Sequence, residues 1–464
     1  GHGVALVLLV ALVGIVEGTP LQWENIKPVG KGPRSRYKHT SASFESAQGI
    51  LYFYGGLTSD GRGGELANGE VWAFDAASQG WEEVSFDSFG TFEGCIDTAH
   101  NAQAPDPRHS HAMVSAGQTA LTCGGKGDGG NTLEFSGGIE CWWLTPVPAA
   151  RWDRLKLQGS SPNPEARFGH SMSFDNDLKI ISMFGGQSKT QTLLKDCWFI
   201  NLGQTGANAT DVVPHSVRHE WQSCTPSDTS APTPPARWGH GHVVFRESIY
   251  VLGGNDPNSN SLNDIWRLTH PYNSTLATWS QIMPTSDLPS ARGFHAVWLS
   301  GFKIVMHGGE GAGGVGKAAV LSDTWQFNLY TLDWSRFSFA SDSVPVASNI
   351  AVAAVMETTA VAFGGKAQDG TPSGKLFFFD MATGWRQEFP SGTRPQRRTG
   401  HVAMFDQSTN TLITGFGMGS SGMHRDVWEF SIPQQRWTCV IGPLNTEDGC
   451  LNTYTATTPP PPSL

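Results

Sequence analysis

Six arginines in this chain are each followed three residues later by a histidine: Arg36 and His39, Arg108 and His111, Arg167 and His170, Arg237 and His240, Arg292 and His295, Arg398 and His401. A guanidinium offers a planar fork of N–H donors that suits a carboxylate, and an imidazole can ligate a metal or move a proton. An acid completes each set, two residues before a tryptophan: Glu70, Glu140, Asp196, Asp264, Asp323 and Asp426. In a seventh copy, placed by Pro345, the three positions hold Ser348, Ala351 and Lys375. All three chemical groups are lost together. An ion pair within each copy would produce that joint loss, because deleting one partner strands a buried charge at a cost of about 3–5 kcal/mol.

The histidines also raise a metal-binding reading. His109-Ser-His111 and His240-Gly-His242 put two rings on one face of a strand. A histidine in nearly every copy of a ring would be spread around the circle rather than gathered, so no metal and no cofactor is expected. The histidines are read instead as hydrogen-bonding struts. The Asn255–Asn260 loop has oxygen ligands suited to calcium, but Asn-rich turns usually cap themselves.

Positioning such groups requires a repeated unit. Each copy runs through a proline, Arg-x-x-His, an apolar stretch, a glycine pair, acid-x-Trp and a second tryptophan. The pairs are Gly55-Gly56, Gly124-Gly125, Gly185-Gly186, Gly253-Gly254, Gly308-Gly309 and Gly364-Gly365, with Gly415-Phe416-Gly417 in the last copy. Stretches such as Ile50–Tyr54 and Ile249–Leu252 are β-branched, aromatic and continuously apolar, as strands covered on both faces are. Paired glycines let the backbone bend where no Cβ fits. Of 17 tryptophans, fourteen fall at the two repeat positions, leaving Trp143, Trp238 and Trp298. The period predicts an all-β chain, a seven-bladed β-propeller of four-stranded antiparallel blades over residues 19–440. Trp23 is an eighth outer-strand tryptophan, so either Trp23 or Trp437 completes the seventh blade.

With 31 Lys and Arg against 41 Asp and Glu, the charge of −10 argues against nucleic acid or an anionic membrane as partner. Val4–Val16 is an apolar run of signal-peptide length, with small residues set for cleavage after Gly18, so residues 1–18 are expected to be a signal peptide that lacks its true start, with no membrane insertion of the mature domain. Secretion agrees with the glycosylation sequons at Asn208 and Asn273 and with six cysteines that can be paired, Cys123 with Cys141, Cys197 with Cys224 and Cys439 with Cys450. Cys95 is left over and could compete for the first pair. Residues 441–464 read as a disulfide turn and a Thr/Pro-rich stalk, which suggests further domains beyond it.

The double glycine followed by two spaced aromatics, repeated in register from Trp23 to Trp437, resembles the kelch-repeat β-propeller family. Most of its members are binding platforms and a few are enzymes, which implies a protein or glycan ligand here, or alternatively an enzyme acting on a carbohydrate or sugar acid. The resemblance also implies a location for the ligand. Kelch domains that bind acidic peptides present arginines around the mouth of the central channel, so Arg36, Arg108, Arg167, Arg237, Arg292 and Arg398 become candidate ligand contacts, with Tyr37, His109, Phe168 and Trp238 as stacking surface. Two enzymatic relatives are disfavoured by missing residues. Only Tyr37 among seven tyrosines lies at a strand opening, against the two a copper-radical oxidase needs, and Ala207 interrupts the Glu-x-x-x-Asp-x-x-x-His pattern of the iron-dependent specifier proteins before Asp211 and His215.

Overall fold

The computed structural model describes residues 34–441, except 35, 44–49, 61–63, 76–79, 85–103, 136, 146–150, 158–161, 203–217, 225, 227–231, 274–275, 314–316, 339–343, 346–350, 357, 391–393, 407–410 and 432–435. These residues form seven four-stranded antiparallel sheets, each built from strands in chain order, together with short two- and three-stranded ribbons. In the first sheet the strands are Thr40–Ser43, Ile50–Tyr54, Val71–Asp75 and Gly80–Glu83. The others open with Ala112–Ala116, Ser171–Asp175, Gly241–Val244, Ala296–Ser300, Ala351–Met356 and Val402–Asp406. The opening strands of consecutive sheets lie against one another, and that of the seventh also touches that of the first. No helix among the described residues is long and apolar enough to cross a membrane.

Second strands carry the apolar runs and are covered on both faces. All five residues of Ile180–Phe184 are buried. The cores lie between sheets: Ile181, Met183 and Ile200 of the third sheet pack with Leu121, Cys123 and Trp143 of the second. This is why these strands show no alternation of polar and apolar residues. The seventh sheet is completed by Arg436–Ile441, with Trp437 opposite Phe430, so Trp437 rather than Trp23 supplies its fourth strand. Trp23 lies outside the described residues.

Two of the expected disulfides are formed. Cys123 and Cys141 stand directly opposite each other on neighbouring strands and are bonded, which resolves the competition from Cys95. Cys197 is bonded to Cys224, just past the outer strand of the third sheet. Cys95 and Cys450 lie outside the described residues, so the pairing of Cys439 does too.

The glycine pairs sit where neighbouring repeats approach most closely. The second glycine of each pair has φ between 91° and 99°, a region closed to other residues. Wherever the next repeat has its arginine, this amide donates to that arginine's carbonyl, as in Gly56 to Arg108 at 2.8 Å and Gly125 to Arg167 at 2.9 Å. The same bond runs from Gly417 to Arg36 at 2.7 Å, tying the last repeat to the first. In the last repeat Phe416 stands in the first-glycine position with φ of 60°, and its ring packs edge-on against His39 at 4.9 Å and Phe53 at 5.4 Å.

Gly186 and Gly117 separate the two costs of a side chain at positive φ. A Cβ on Gly186 would lie 2.8 Å from His170 Cβ and 2.9 Å from the Phe168 carbonyl, whereas one on Gly117 (φ 62°) would meet nothing within 4 Å. We expect Gly117→Ala to cost about 1 kcal/mol and Gly186→Ala about 3 kcal/mol or more, read from thermal or denaturant unfolding. Equal losses would show that the close approach between repeats is not a constraint.

Candidate functional site: six buried arginines and the surface beside them

Each repeat arginine is fully buried and every one meets its own repeat's acid. Arg36 to Glu70 is 2.6 Å, Arg167 to Asp196 2.6 Å, Arg237 to Asp264 2.7 Å, Arg292 to Asp323 2.7 Å and Arg398 to Asp426 2.7 Å; Arg108 bonds Glu140. The remaining donors are also used. Nε donates to the carbonyl two residues earlier, as in Arg398 to Gln396 at 3.0 Å, which holds the segment leading into the opening strand. Nη1 donates to the carbonyl of the first residue of the glycine pair, as in Arg237 to Gly253 at 2.8 Å and Arg398 to Phe416 at 2.9 Å. One guanidinium thus fastens the inbound loop, the glycine turn and the third strand.

The two-residue spacing from acid to tryptophan has a direct cause. The indole Nε1 donates to the acid in five repeats: Trp72 to Glu70 at 3.1 Å, Trp198 to Asp196 at 2.7 Å, and Trp266, Trp325 and Trp428 to Asp264, Asp323 and Asp426 at 2.6 Å. Glu140 is different: it pairs with Arg108 and Arg154, and Arg154 lies over the Trp142 ring at 4.7 Å. In the degenerate repeat Phe377 replaces the tryptophan, so no indole N–H is left without its acid. Four positions covary, and the fourth was readable from the sequence as a lost donor.

Burial alone would raise the Asp426 carboxyl pKa, but the charge and hydrogen bond of Arg398, with smaller help from His424 and Trp428, hold it below the ordinary carboxylate range. Asp196 and Asp323 are held low in the same way by Arg167 and Arg292.

The repeat histidines act mainly by packing, which corrects their reading as general hydrogen-bonding struts. His111 Nε2 bonds Thr40 Oγ1 at 2.6 Å and His240 Nε2 bonds Ser171 Oγ at 2.8 Å. In both cases the partner is the residue after the preceding repeat's histidine. Where that residue is Ala112, Gly241 or Val402 there is no hydroxyl, and the rings of His170, His295 and His39 have no hydrogen-bond partner among the described residues. The residue before the glycine pair packs on the next repeat's imidazole, as Tyr54 does on His111 at 5.1 Å and Phe184 on His240 at 5.3 Å. The degenerate repeat lacks a histidine, and there the fifth repeat supplies His307 instead, bonded to Thr324 Oγ1 at 2.9 Å and the Pro345 carbonyl at 3.1 Å.

Arg36, Arg108, Arg167, Arg237, Arg292 and Arg398 are covered, and each guanidinium nitrogen already has an acceptor within the protein. The residues after them are reachable. Tyr37, His109 and Phe168 are half-buried and Trp238 is 37 % exposed. The next residue in each repeat (Lys38, Ser110, Gly169, Gly239, Phe294, Gly400) has φ between 54° and 63°. Their backbones link repeat to repeat, with Gly169 donating to Ser110 at 3.0 Å, Phe294 to Gly239 at 2.9 Å and Lys38 to Gly400 at 3.4 Å. Phe294 was missed because Gly293 occupies the expected aromatic place; its ring meets Trp238 at 5.1 Å, edge to face. Lys126 sits over Phe168 at 3.9 Å, and the Tyr37 hydroxyl donates to Glu65 at 2.8 Å.

Other candidate positions are placed as follows. Asn273 is exposed in the turn after Ile265–Thr269, and Asn208 lies outside the described residues. Asp256 accepts from the amides of Asn258 and Asn260, both at 2.8 Å, so the Asn-rich loop caps itself. No group of three or more metal-ligating side chains occurs among the described residues.

Two outcomes follow. Asp426→Asn leaves Arg398 buried without its counter-charge and should cost about 3–5 kcal/mol, while Arg398→Leu combined with Asp426→Leu should cost clearly less than the summed single changes, measured by denaturant unfolding in a double-mutant cycle. Burial first, then the neighbouring arginine, lowers the pKa of His170 to about 3 and of His295 to about 3. An imidazole depressed on folding stabilises fully above its unfolded value near 6.5, and that contribution is lost as pH falls towards the folded value. Stability should decline below about pH 6.5, by about 1.4 kcal/mol per pH unit for each such histidine, and the drop should shrink in His170→Gln. Thermal melts at constant ionic strength that are flat from pH 7 to pH 5 would refute this.

The chain matches the KLHDC2/KLHL20/DRC7 Kelch-repeats domain over residues 111–365 and 312–447. It is 25% identical over 349 residues to Acyl-CoA-binding domain-containing protein 4 of Arabidopsis thaliana, covering 74% of this chain and 45% of that protein. It is 24% identical over 364 residues to Tip elongation aberrant protein 1 of Schizosaccharomyces pombe, covering 68% of this chain and 27% of that one. With Kelch domain-containing protein 10 of Xenopus laevis it shares 25% over 274 residues, covering 58% and 55%. The chain spans less than half the length of the first two. Six arginine–acid pairs built on glycine turns, on sheets matched by this domain over most of the chain, make the protein a member of the kelch-repeat family.

Proposed function

We propose that this chain is a secreted, non-enzymatic protein-binding module whose seven sheets close into a seven-bladed propeller, and that its partner docks on the aromatic arc formed by Tyr37, His109, Phe168, Trp238 and Phe294. The hydrogen bonds from Gly417 to Arg36 and from Lys38 to Gly400 support closure, since they join the last repeat to the first. The observation that carries the site is the division of labour at each strand opening. The arginine is consumed inside the sheet, whereas the next one or two residues present ring faces on five consecutive repeats. Aromatic rings supply large contact area at low entropic cost, and such anchors dominate protein interfaces. The Val4–Val16 run, the sequons at Asn208 and Asn273 and the two disulfides support the secretory route.

The site is tested with the domain immobilised and exposed to the medium and surface extract of its source cells, followed by quantitative mass spectrometry. Proteins held by the unchanged domain should fall about tenfold with Trp238→Ala combined with Phe168→Ala, and should stay with Phe302→Ala and Tyr330→Ala, which lie towards the other end of the sheets. Equal capture by both variants would refute the arc, and arc-dependent binding on a glycan array without a protein partner would replace the ligand class. Expression through a secretory pathway should give one glycan step each for Asn208 and Asn273, removed by Asn→Gln.

A further inference from the structure

The degenerate repeat does more than lose a pair. At its acid position the sign of charge is reversed, because Lys375 stands where six other repeats have Asp or Glu. The neighbouring backbone brings a second cation beside it: a Cβ on Gly374 would lie 3.1 Å from Arg397 Cγ and 3.4 Å from Arg397 Cα. Arg397 is itself anomalous, since the residue before the repeat arginine is Ser35, Pro107, Ala166, Ala236 or Ala291 elsewhere. A third cation is near in the chain, for His424 Nε2 sits on the Arg397 carbonyl at 3.1 Å and Arg425 is the next residue.

Lys375 and Arg397 are exposed and Arg425 is half-buried. No carboxylate among the described residues lies within ion-pair distance of these three, and Arg425 Nε is buried without a hydrogen-bond partner among them. The acids nearby are accounted for. Asp369 accepts from Thr371 and feels Arg397 only at longer range, Glu310 faces Lys366 at 3.9 Å, and Asp426 is used by Arg398. Three cations thus stand at this junction with no ion-pair partner among the described residues, on a chain whose net charge is −10, which leaves them open to an anion from outside.

Taking the chain as a protein-binding domain, we infer that the junction of the sixth and seventh repeats, through Lys375, Arg397 and Arg425, is a docking surface for an acidic polypeptide segment of the partner. It is separate from the aromatic arc. Complementary charge at such a rim sets orientation and speeds association, and it gives a salt-dependent contribution to affinity.

The test uses a fluorescein-labelled deca-glutamate peptide, with deca-glutamine and a heparin decasaccharide as comparison probes, followed by anisotropy at low and physiological salt. Deca-glutamate should bind and deca-glutamine should not. Lys375→Asp with Arg397→Glu should weaken binding about tenfold or more, whereas Lys189→Glu with Lys195→Glu, which changes net charge equally in the third repeat, should change it less than about twofold. Unchanged melting temperatures would show that both variants are folded. Equal loss in both double variants, no binding of deca-glutamate at low salt, or tighter binding of heparin through the same residues would each overturn the inference. Trp238→Ala should leave deca-glutamate binding intact, so failure here and failure of the aromatic arc are told apart.

Discussion

The structure depends on a buried arginine whose N–H groups are divided between two backbone carbonyls and one carboxylate. A guanidinium taken out of water is tolerated only if its donors and its charge are answered. In this chain the answer is the same six times: the carbonyl two residues back, the carbonyl at the glycine turn and the acid of the third strand, which in five repeats also accepts from an indole. The glycines and the acid-x-Trp spacing follow from this, because each places one acceptor or lets the chain come near enough to offer it.

A second constraint couples the repeats to one another. The arginine that fastens its own turn also offers its carbonyl to the second glycine of the preceding repeat, so a sheet cannot shift without disturbing its neighbour. Close approach explains the positive φ and the missing Cβ at Gly56, Gly125, Gly186 and Gly254. The degenerate repeat shows the same logic in reverse. With arginine, histidine and acid gone, the indole N–H goes too, and His307 fills the place of the absent imidazole from the neighbouring sheet.

These constraints leave a narrow part of each repeat free for recognition. The arginine and histidine are spoken for, and between them lies a left-handed turn at which most residues are at least partly exposed. Variation there costs the fold little, so the residues differ from repeat to repeat: Tyr37, His109, Phe168 and Trp238. The relatives share the scaffold at about a quarter identity while carrying other regions, consistent with a scaffold held constant and surfaces that diverge.

Much of this was legible in the residues before any coordinates. The strands could be read from Ile50–Tyr54 and its equivalents, because a run buried on both faces must be apolar throughout, and the ion pairs could be read from the joint loss at Ser348, Ala351 and Lys375, because one buried charge forbids the loss of the other. Pattern along the chain can express such local and paired demands. It could not say that Trp437 rather than Trp23 fills the last strand, that the arginines are sealed while Trp238 stands out, that Phe294 meets Trp238, or that Lys375 and Arg397 lie side by side. Those facts concern which side of a turn faces solvent and which distant segments come near, and only packing in three dimensions settles them.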